Sequence, residues 1–357
     1  MMSSLSIFAG PTALARLKAD GLCADQFKVL LGASGGPKWF VLYGLDCYLF
    51  GDFFAQQKQE LITLGSSAGA WRMCCLATSE PVAAIGRLAT RYSEEEYSST
   101  PTTAEITEKA RNMLAEMLGD SGAAEIVGNK VIKTHIITDR SKGFGASKKK
   151  SLQATALLAS ALSNVVSRKS LSFFYERTIF TNMGQLSPWN ACKDIDTSVV
   201  GLNEENIFDA MIASGSIPFV LDGVRNISGA KKGLYWDGGI TDYHFDFNFH
   251  AGGGLVLYPH FSSTVTPGWF DKHIPWRKVN EHHFDNVVLV TPSKEFVASL
   301  PYGKIPDRSD FEKLDYNTRL TYWREVLDKS HQLAEDFSKL VNAGIGIDAI
   351  QAFSDRP

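Results

Sequence analysis

The hydrophobic positions of the chain fall into short apolar runs that end in turns of small residues. The runs at 28–32 and 60–65 have the length and composition of buried strands, and a helical pattern follows each turn. A strand, a glycine turn and a helix, repeated in this order, indicate a parallel sheet covered by helices. Residues 131–139 and 286–293 predict further core strands.

Longer segments with other patterns complete the predicted elements. Apolar residues at helical spacing predict four helices, and the one nearest the amino terminus is polar enough to lie on the surface. An aromatic and β-branched run predicts one more strand. The helices are expected at 93–118, 152–166, 206–219 and 315–343, and the strand at 169–182.

Together these elements predict a three-layer α/β/α fold with a mainly parallel central sheet. The chain has no internal repeat and no long flexible linker, so a single domain is expected over residues 1–357. The residues that could carry chemistry fall within 28–245. Residues 246–357 form a carboxyl-terminal elaboration that matches no motif.

The composition narrows the class of protein. With 44% hydrophobic and 21% charged residues the chain is expected to fold, and a net charge of −3 gives no basic excess for nucleic acid. The five cysteines lack metal-ligand spacing and are expected to be reduced. No metal or other cofactor is expected.

The amino terminus has no basic region ahead of a long apolar run, so a cleaved secretory signal is not expected. No stretch reaches the roughly 18 apolar residues of a spanning helix. We therefore expect a cytoplasmic protein. Peripheral membrane contact and secretion by a non-classical route stay open.

The strongest chemical signal is the pentapeptide Gly-Ser-Ser-Ala-Gly at 65–69, which lies between a predicted strand and a predicted helix. A G-x-S-x-G sequence in this context is typical of a sharp turn that exposes a nucleophilic serine, here Ser67. Side chains at Gly65 and Gly69 would collide with the strand or the helix. The hydroxyl of Ser67 would lie near the positive end of the helix dipole.

A second small-residue turn, at 32–38, follows the other amino-terminal strand. The consecutive glycines Gly35 and Gly36 allow backbone N–H groups to point at a bound oxyanion. A phosphate-cradling loop is the alternative, but the G-K-[ST] sequence of such a loop is missing.

A serine hydroxyl also needs a base, and the candidate is Asp237, which an apolar strand delivers into a glycine turn. The ordinary pKa of an aspartate is about 3.9, which makes it a weak base. This role therefore requires a cleft that desolvates the carboxylate and a direct bond to Ser67.

These elements resemble, in order and approximate spacing, the signature of the patatin-like phospholipases: a glycine-rich loop, then G-x-S-x-G, then D-G-[GA]. The stretch at 213–219 is similar to the A-S-x-A-x-P-x-x-F sequence before the family's aspartate. The resemblance implies that Gly35 and Gly36 form an oxyanion hole, with Lys38 in the place of the family's usual basic residue. Two departures are Ser34 in place of a third glycine and Pro37, which has no N–H.

The resemblance further implies a serine esterase that cleaves phospholipid or other fatty-acyl esters through a Ser67–Asp237 dyad and an acyl-enzyme, without a cofactor. One alternative is a Ser-His-Asp triad of the α/β-hydrolase type. The downstream histidines available to such a triad are His250, His260, His282 and His283. The other alternative is a noncatalytic lipid-binding scaffold.

Two further features bear on lipid binding. A basic cluster could attract anionic headgroups near the cleft, although a solvated loop is the simpler interpretation. Its members are Arg140, Lys142, Lys148, Lys149 and Lys150. Aromatic residues at 172–175 and 268–276 suit either the core or the lining of an acyl tunnel.

Overall fold

One mixed sheet runs through the protein, which is described by a computed structural model covering residues 3–356. Eleven strands of this part of the chain form the sheet. They are β1 (Leu5–Ala9), β2 (Phe27–Gly32), β3 (Leu61–Ser66), β4 (Ile132–Ser141), β5 (Tyr175–Thr181), β6 (Thr197–Gly201), β7 (Val224–Arg225), β8 (Leu234–Asp237), β9 (Leu255–Pro259), β10 (Val287–Pro292) and β11 (Gln351–Ala352).

Twelve α-helices accompany the sheet within the same residues. They are α1 (Pro11–Asp20), α2 (Tyr43–Tyr48), α3 (Ala68–Leu76), α4 (Pro81–Ser93), α5 (Thr103–Leu118), α6 (Gly122–Gly128), α7 (Lys150–Val166), α8 (Ile207–Ser214), α9 (Lys294–Ser299), α10 (Asp310–Lys313), α11 (Tyr316–Lys329) and α12 (His331–Ala343). In the part of the chain that the structure covers, no helix has the length and hydrophobicity needed to cross a membrane.

The strand order is β11-β1-β10-β9-β2-β3-β4-β5-β6. The neighbours from β10 to β4 are all parallel, whereas β1 runs antiparallel to β10 and β5 antiparallel to β4. The residues of β5, β9 and β10 are buried throughout, as expected for strands covered on both faces. The predicted α/β fold with a mainly parallel sheet is confirmed.

The sequence patterns located most of the core elements and misplaced some boundaries. The predicted strand at 169–182 is wrong in its first part, because Arg168–Phe173 forms a 3₁₀ turn before β5 begins. The predicted helix at 93–118 is α5, which begins only at Thr103 after a Thr102 cap and buries one face. The predicted helix at 315–343 is divided at Ser330 into α11 and α12. All five cysteines are free thiols.

Strand β4 determines which loops meet at the carboxyl end of the sheet. Its first half pairs with β3, and Ser66 at the end of β3 lies opposite Ile137. Its second half pairs with β8, and Asp237 at the end of β8 lies opposite the next residue, Thr138. Since β5 occupies the other edge of β4, the ends of β3 and β8 meet on one edge.

The carboxyl-terminal residues are built into this sheet and its helical layers. Strand β9 lies between β10 and β2, so the stretch after residue 245 continues the parallel core. Helix α12 packs on α2, where the N–H of Gly44 donates a hydrogen bond to Ser330 Oγ at 2.8 Å. A buried Asp46–Arg72 pair, with two N···O distances of 2.7 Å, then joins α2 to α3.

The packing at Gly44 predicts that a larger residue at this position destabilises the protein. A Cβ at Gly44 would lie 2.5 Å from backbone atoms of His331, so Gly44→Ala must push α2 and α12 apart. We expect a loss of about 1–3 kcal/mol in the free energy of unfolding, measured by urea denaturation. Gly86→Ala in α4 is the matched control, because its Cβ would meet only Tyr43 Oη at 3.6 Å. An equal loss in both variants would contradict the packing argument.

Candidate active site

The turn between β3 and α3 holds Ser67 in a strained conformation. Its backbone has φ 56° and ψ −134°, a combination that costs a non-glycine residue about 1–3 kcal/mol. A Cβ at Gly65 would lie 2.4 Å from Ala70 Cα, and one at Gly69 would lie 1.9 Å from the carbonyl oxygen of Gly32. The small residues on each side of Ser67 are therefore required by the turn itself.

Ser67 and Asp237 are in direct contact at the carboxyl edge of the sheet. Ser67 Oγ donates a hydrogen bond to Asp237 Oδ2 at 2.8 Å, and the N–H of Gly239 donates to Asp237 Oδ1 at 2.7 Å. Burial raises the pKa of Asp237 to about 6, although the bonds from Gly239 and Ser67 oppose this shift. The carboxylate is thus a stronger base than an exposed aspartate, and it is still ionised at neutral pH.

The stretch at 213–219 ties the two residues together. The hydroxyl of Ser214 accepts a hydrogen bond from the N–H of Ser67 at 2.9 Å and donates one to the carbonyl of Ile137 at 2.7 Å. The carbonyl of Ser216 accepts from the N–H of Asp237 at 2.9 Å. This segment therefore fixes the backbones of both Ser67 and Asp237 relative to β4.

Buried charges anchor the turn that follows Asp237. The N–H and the hydroxyl of Thr241 each donate to the carboxylate of Asp139 at 2.9 Å. Next to them the guanidinium of Arg177 bridges Asp242 and Asp194. Burial, together with the charge of Asp242, raises the pKa of Asp139 well above its ordinary value. No sequence pattern predicts this network, because its members are distant along the chain.

The glycine turn after β2 lies against the Ser67 turn. Ser34 Oγ donates a hydrogen bond to Ser66 Oγ at 2.9 Å, and Gly35 and Gly36 border the same cavity as Ser67. Within residues 3–356 the N–H groups of Gly35, Gly36 and Ala68 have no hydrogen-bond acceptor. Free amides beside a nucleophilic hydroxyl can stabilise an oxyanion that forms there.

Lys38, which the resemblance placed at the oxyanion loop, lies just after the two glycines and borders the same cavity as Ser67. Its N–H donates to the carbonyl of Gly35 at 3.4 Å, within the 3₁₀ turn that follows the glycines. Its ammonium group lies 3.4 Å from the carboxylate of Asp307 and lines the cavity. Lys38 thus supplies a cation to the cavity wall.

Two cavities meet at Ser67. The larger, of about 280 Å³, is lined by the cations of Lys38, Lys272 and Arg308 and by carboxylates. The carboxylates are those of Asp237, Asp307 and Glu312. The smaller, of about 80 Å³, has a mostly apolar wall. Apolar side chains of this wall are Trp71, Ile106, Met113, Val220 and Leu221. An extended ligand at Ser67 would therefore have a polar side and an apolar side.

Part of the larger cavity comes from the carboxyl-terminal elaboration. Trp269 and Lys272 lie on a 3₁₀ turn, and Asp307 and Arg308 on a later loop. Although much of the Lys272 side chain is exposed, its ammonium lies 3.8 Å from the ring centroid of Tyr243. Desolvation there, together with the charge of Lys38, lowers the pKa of Lys272 to about 8. From the sequence, the aromatic residues at 268–276 suited either the core or the lining of a tunnel.

The residues proposed for the alternative sites lie elsewhere. Among the residues that the structure describes, no histidine borders either cavity at Ser67. His260 is buried and bonded to Ser262, and His283 bonds to Asp246 at 2.9 Å. A triad is therefore not assembled.

The predicted basic cluster does not lie at the cleft. Arg140 pairs with Glu176 and Lys142 with Asp196, and none of the five cations borders the cavities at Ser67. Headgroup binding beside the cleft, the less favoured of the two interpretations, is therefore not supported by the position of the cluster. The sequence could not reveal this, because the cations that reach Ser67 come from three separate loops.

Comparison with known proteins identifies the chain's relatives. A family model described as patatin-like phospholipase matches residues 61–244, just over half of the chain. A solved structure with some similarity is that of VipD from Legionella pneumophila, with 15% identity and a TM-score of 0.33. The alignment covers 73% of this chain and 53% of VipD, so the chain spans about half the length of VipD. No curated protein matches.

The raised pKa of Asp237 predicts a pH-dependent cost in stability. Because its pKa in the folded protein, about 6, exceeds the ordinary 3.8, the folded state favours the protonated acid. Relative to Asp237→Asn, the wild type should lose stability as pH rises from about 4 through about 6, by about 3 kcal/mol in total. Urea unfolding of both proteins across this range measures the difference. A difference that stays constant would show that the carboxylate is not desolvated.

Proposed function

We propose, since the chain belongs to the patatin-like phospholipase family, that it is a lipid acyl hydrolase in which Ser67 is the nucleophile and Asp237 the base. The observation that carries this proposal is the 2.8 Å hydrogen bond between Ser67 Oγ and Asp237 Oδ2. It joins a hydroxyl on a strained turn to a desolvated carboxylate, which is the pairing that activates a serine without a histidine.

In the first step Ser67 Oγ attacks the acyl carbonyl of an ester, and its proton passes to Asp237 Oδ2. The carbonyl oxygen becomes an oxyanion, which the free N–H groups of Gly35, Gly36 and Ala68 are suited to receive. Losing one such donor typically slows catalysis about 100 to 1000 fold. Collapse of the intermediate breaks the ester bond, and the departing alcohol takes the proton from Asp237.

In the second step water attacks the acyl-enzyme. Asp237 accepts a proton from the water, a second oxyanion forms at the same amides, and its collapse releases the fatty acid and returns the proton to Ser67. Each proton that Asp237 accepts is thus given back within the cycle. No residue beyond the dyad and the backbone amides is required to balance the reaction.

The two cavities support a phospholipase A or lysophospholipase type of substrate. The apolar cavity suits the first part of an acyl chain, because its wall offers hydrocarbon contacts. The larger cavity suits a phosphate-bearing alcohol, because Lys272 and Arg308 bring cations to it, whereas Lys38 is already paired with Asp307. Ser67 borders both cavities, as a residue that cleaves the bond between the two parts should.

The dyad predicts a specific pattern of lost activity. Ser67→Ala and Asp237→Asn should each lower hydrolysis of p-nitrophenyl acyl esters by about a thousandfold or more, because each removes part of one proton-transfer unit. Only Ser67→Ala should abolish labelling by a fluorophosphonate outright, since the labelled atom is Ser67 Oγ. Wild-type hydrolysis should decline below an apparent pKa of about 6 as Asp237 is protonated.

The exposed serine variant Ser151→Ala is the matched control and should keep full activity. Full activity in Ser67→Ala would contradict the assignment of the nucleophile. A folded wild type that neither hydrolyses esters nor reacts with the fluorophosphonate would favour a noncatalytic lipid-binding protein.

The cations of the larger cavity predict a preference for substrates that carry an anionic phosphate. Replacing Lys272 and Arg308 by Gln should lower kcat/KM for an acyl ester with an anionic phosphate by about tenfold or more, because charge-assisted hydrogen bonds are lost. Hydrolysis of an uncharged monoacylglycerol should change much less, so the ratio of the two rates is the measurement. Lys58 is an exposed lysine outside the cavity, and Lys58→Gln is therefore the control. An equal loss on both substrates would show that the cations do not bind the phosphate.

A further inference from the structure

Helix α7 and the segments on either side of it expose an unusual set of apolar side chains. Of the twelve large hydrophobic residues that are exposed within residues 3–356, six lie between residues 144 and 173. They are Phe144, Leu158, Leu162, Val165, Val166 and Phe173, and we call them the α7 face. Scattered exposed hydrophobic residues are normal, but a cluster in one short segment marks an interaction surface.

The helix carries its apolar residues on the outside. Leu158, Leu162 and Val165 follow helical spacing and lie on one side, with exposed fractions of 62%, 63% and 42%. The buried positions of α7 are instead Ser160 and Asn164, both polar. A helix that only covers a core has the opposite pattern. The arrangement therefore indicates that the outer side of α7 has an apolar partner.

The charge of the same segment identifies the kind of partner. Residues 141–174 contain six cations and no Asp or Glu. The cations are Lys142, Lys148, Lys149, Lys150, Arg168 and Lys169, of which Lys142 and Arg168 form ion pairs with acids outside the segment. The lysines at 148–150, at the start of α7, are exposed and form no ion pair with any residue from 3 to 356. Apolar side chains next to unpaired lysines are complementary to the surface of an anionic bilayer.

The α7 face is also attached to the wall of the Ser67 cavity. Asn164 Nδ2 donates a hydrogen bond to Asp271 Oδ1 at 2.7 Å. Asp271 belongs to the same 3₁₀ turn as Trp269 and Lys272, which line that cavity. Trp276, a few residues later, is 68% exposed. A membrane bound at α7 would thus lie one packed element away from Ser67.

We propose that the α7 face docks the protein onto anionic lipid membranes, so that lipid can pass from the bilayer to the cavity at Ser67. The delivery of substrate rests on the proposed function, whereas the docking itself does not require catalysis. The apolar residues insert at the level of the acyl chains, and the lysines contact the headgroups.

The test is sedimentation of the full chain, as Ser67→Ala, with vesicles of phosphatidylcholine alone or mixed with phosphatidylserine. We expect binding to the mixed vesicles that weakens as salt is added. Leu158→Ser with Leu162→Ser should lower the partition coefficient at least tenfold. Replacing Lys148, Lys149 and Lys150 by Gln should also lower the partition coefficient, by up to about fivefold for each lysine that lies near the membrane surface.

Matched variants elsewhere on the surface control for general effects. Val82→Ser with Ile345→Ser replaces two other exposed hydrophobic residues, and Gln at 18, 58 and 130 replaces three other exposed lysines. Neither should change vesicle binding. Wild-type-like binding by the α7 variants, or an equal loss in the controls, would overturn the proposal. The proposal would also be overturned if the protein forms a dimer in ultracentrifugation and the α7 variants dissociate that dimer but leave vesicle binding intact.

Activity measurements separate this proposal from the proposed function. The α7 variants should hydrolyse a soluble p-nitrophenyl ester at the wild-type rate and lose hydrolysis only of vesicle lipid. If the protein binds vesicles as predicted but cleaves no ester, the docking proposal stands and the hydrolase proposal fails. If it cleaves soluble esters but no variant alters vesicle binding, the docking proposal fails alone.

Discussion

The register along strand β4 is the constraint on which the site depends. Ser66 pairs opposite Ile137 and Asp237 opposite Thr138, so two chain segments separated by 170 residues end side by side. A shift of one residue in either pairing would turn a side chain to the other face of the sheet. The contact between Ser67 and Asp237 is therefore a property of the sheet, which the hydrogen bonds of Ser214 and Ser216 reinforce.

Close backbone packing makes this register possible and leaves the site strained. The start of α3 lies so near the end of β2 that neither Gly32 nor Gly69 has room for a side chain. Ser67 adopts a positive φ in this crowded turn, and burial raises the pKa of Asp237. Both features cost stability, and together they hold the hydroxyl against a desolvated carboxylate.

Around this site the protein presents surfaces suited to an amphipathic ligand. The apolar cavity and the larger, charged cavity share Ser67, and the turn that carries Trp269 and Lys272 connects the larger cavity to α7. These surfaces come largely from segments outside the motifs, including the carboxyl-terminal elaboration. The Ser67–Asp237 contact and much of the cavity wall therefore come from different parts of the chain. The loops of that wall can vary while β3, β4 and β8 hold the contact.

The sequence by itself determined the class of fold and the residues of the candidate site. Apolar runs ending in glycine turns identify parallel core strands, and the steric demands of such turns restrict Gly65, Gly69, Gly35 and Gly36 to small residues. These signals are local, so one chain is enough to find them. The order of the motifs, which resembles that of the patatin-like phospholipases, then predicted Asp237 as the partner of Ser67.

Only the tertiary structure decided what surrounds those residues. The place of Lys38, the gathering of Lys272 and Arg308, the network around Asp242 and the outward leucines of α7 all depend on contacts between distant segments. The conspicuous lysines at 148–150 likewise do not border the cavities at Ser67. A charge or a hydrophobic residue acquires its role from its neighbours in space, and those are set by the packing of the whole chain.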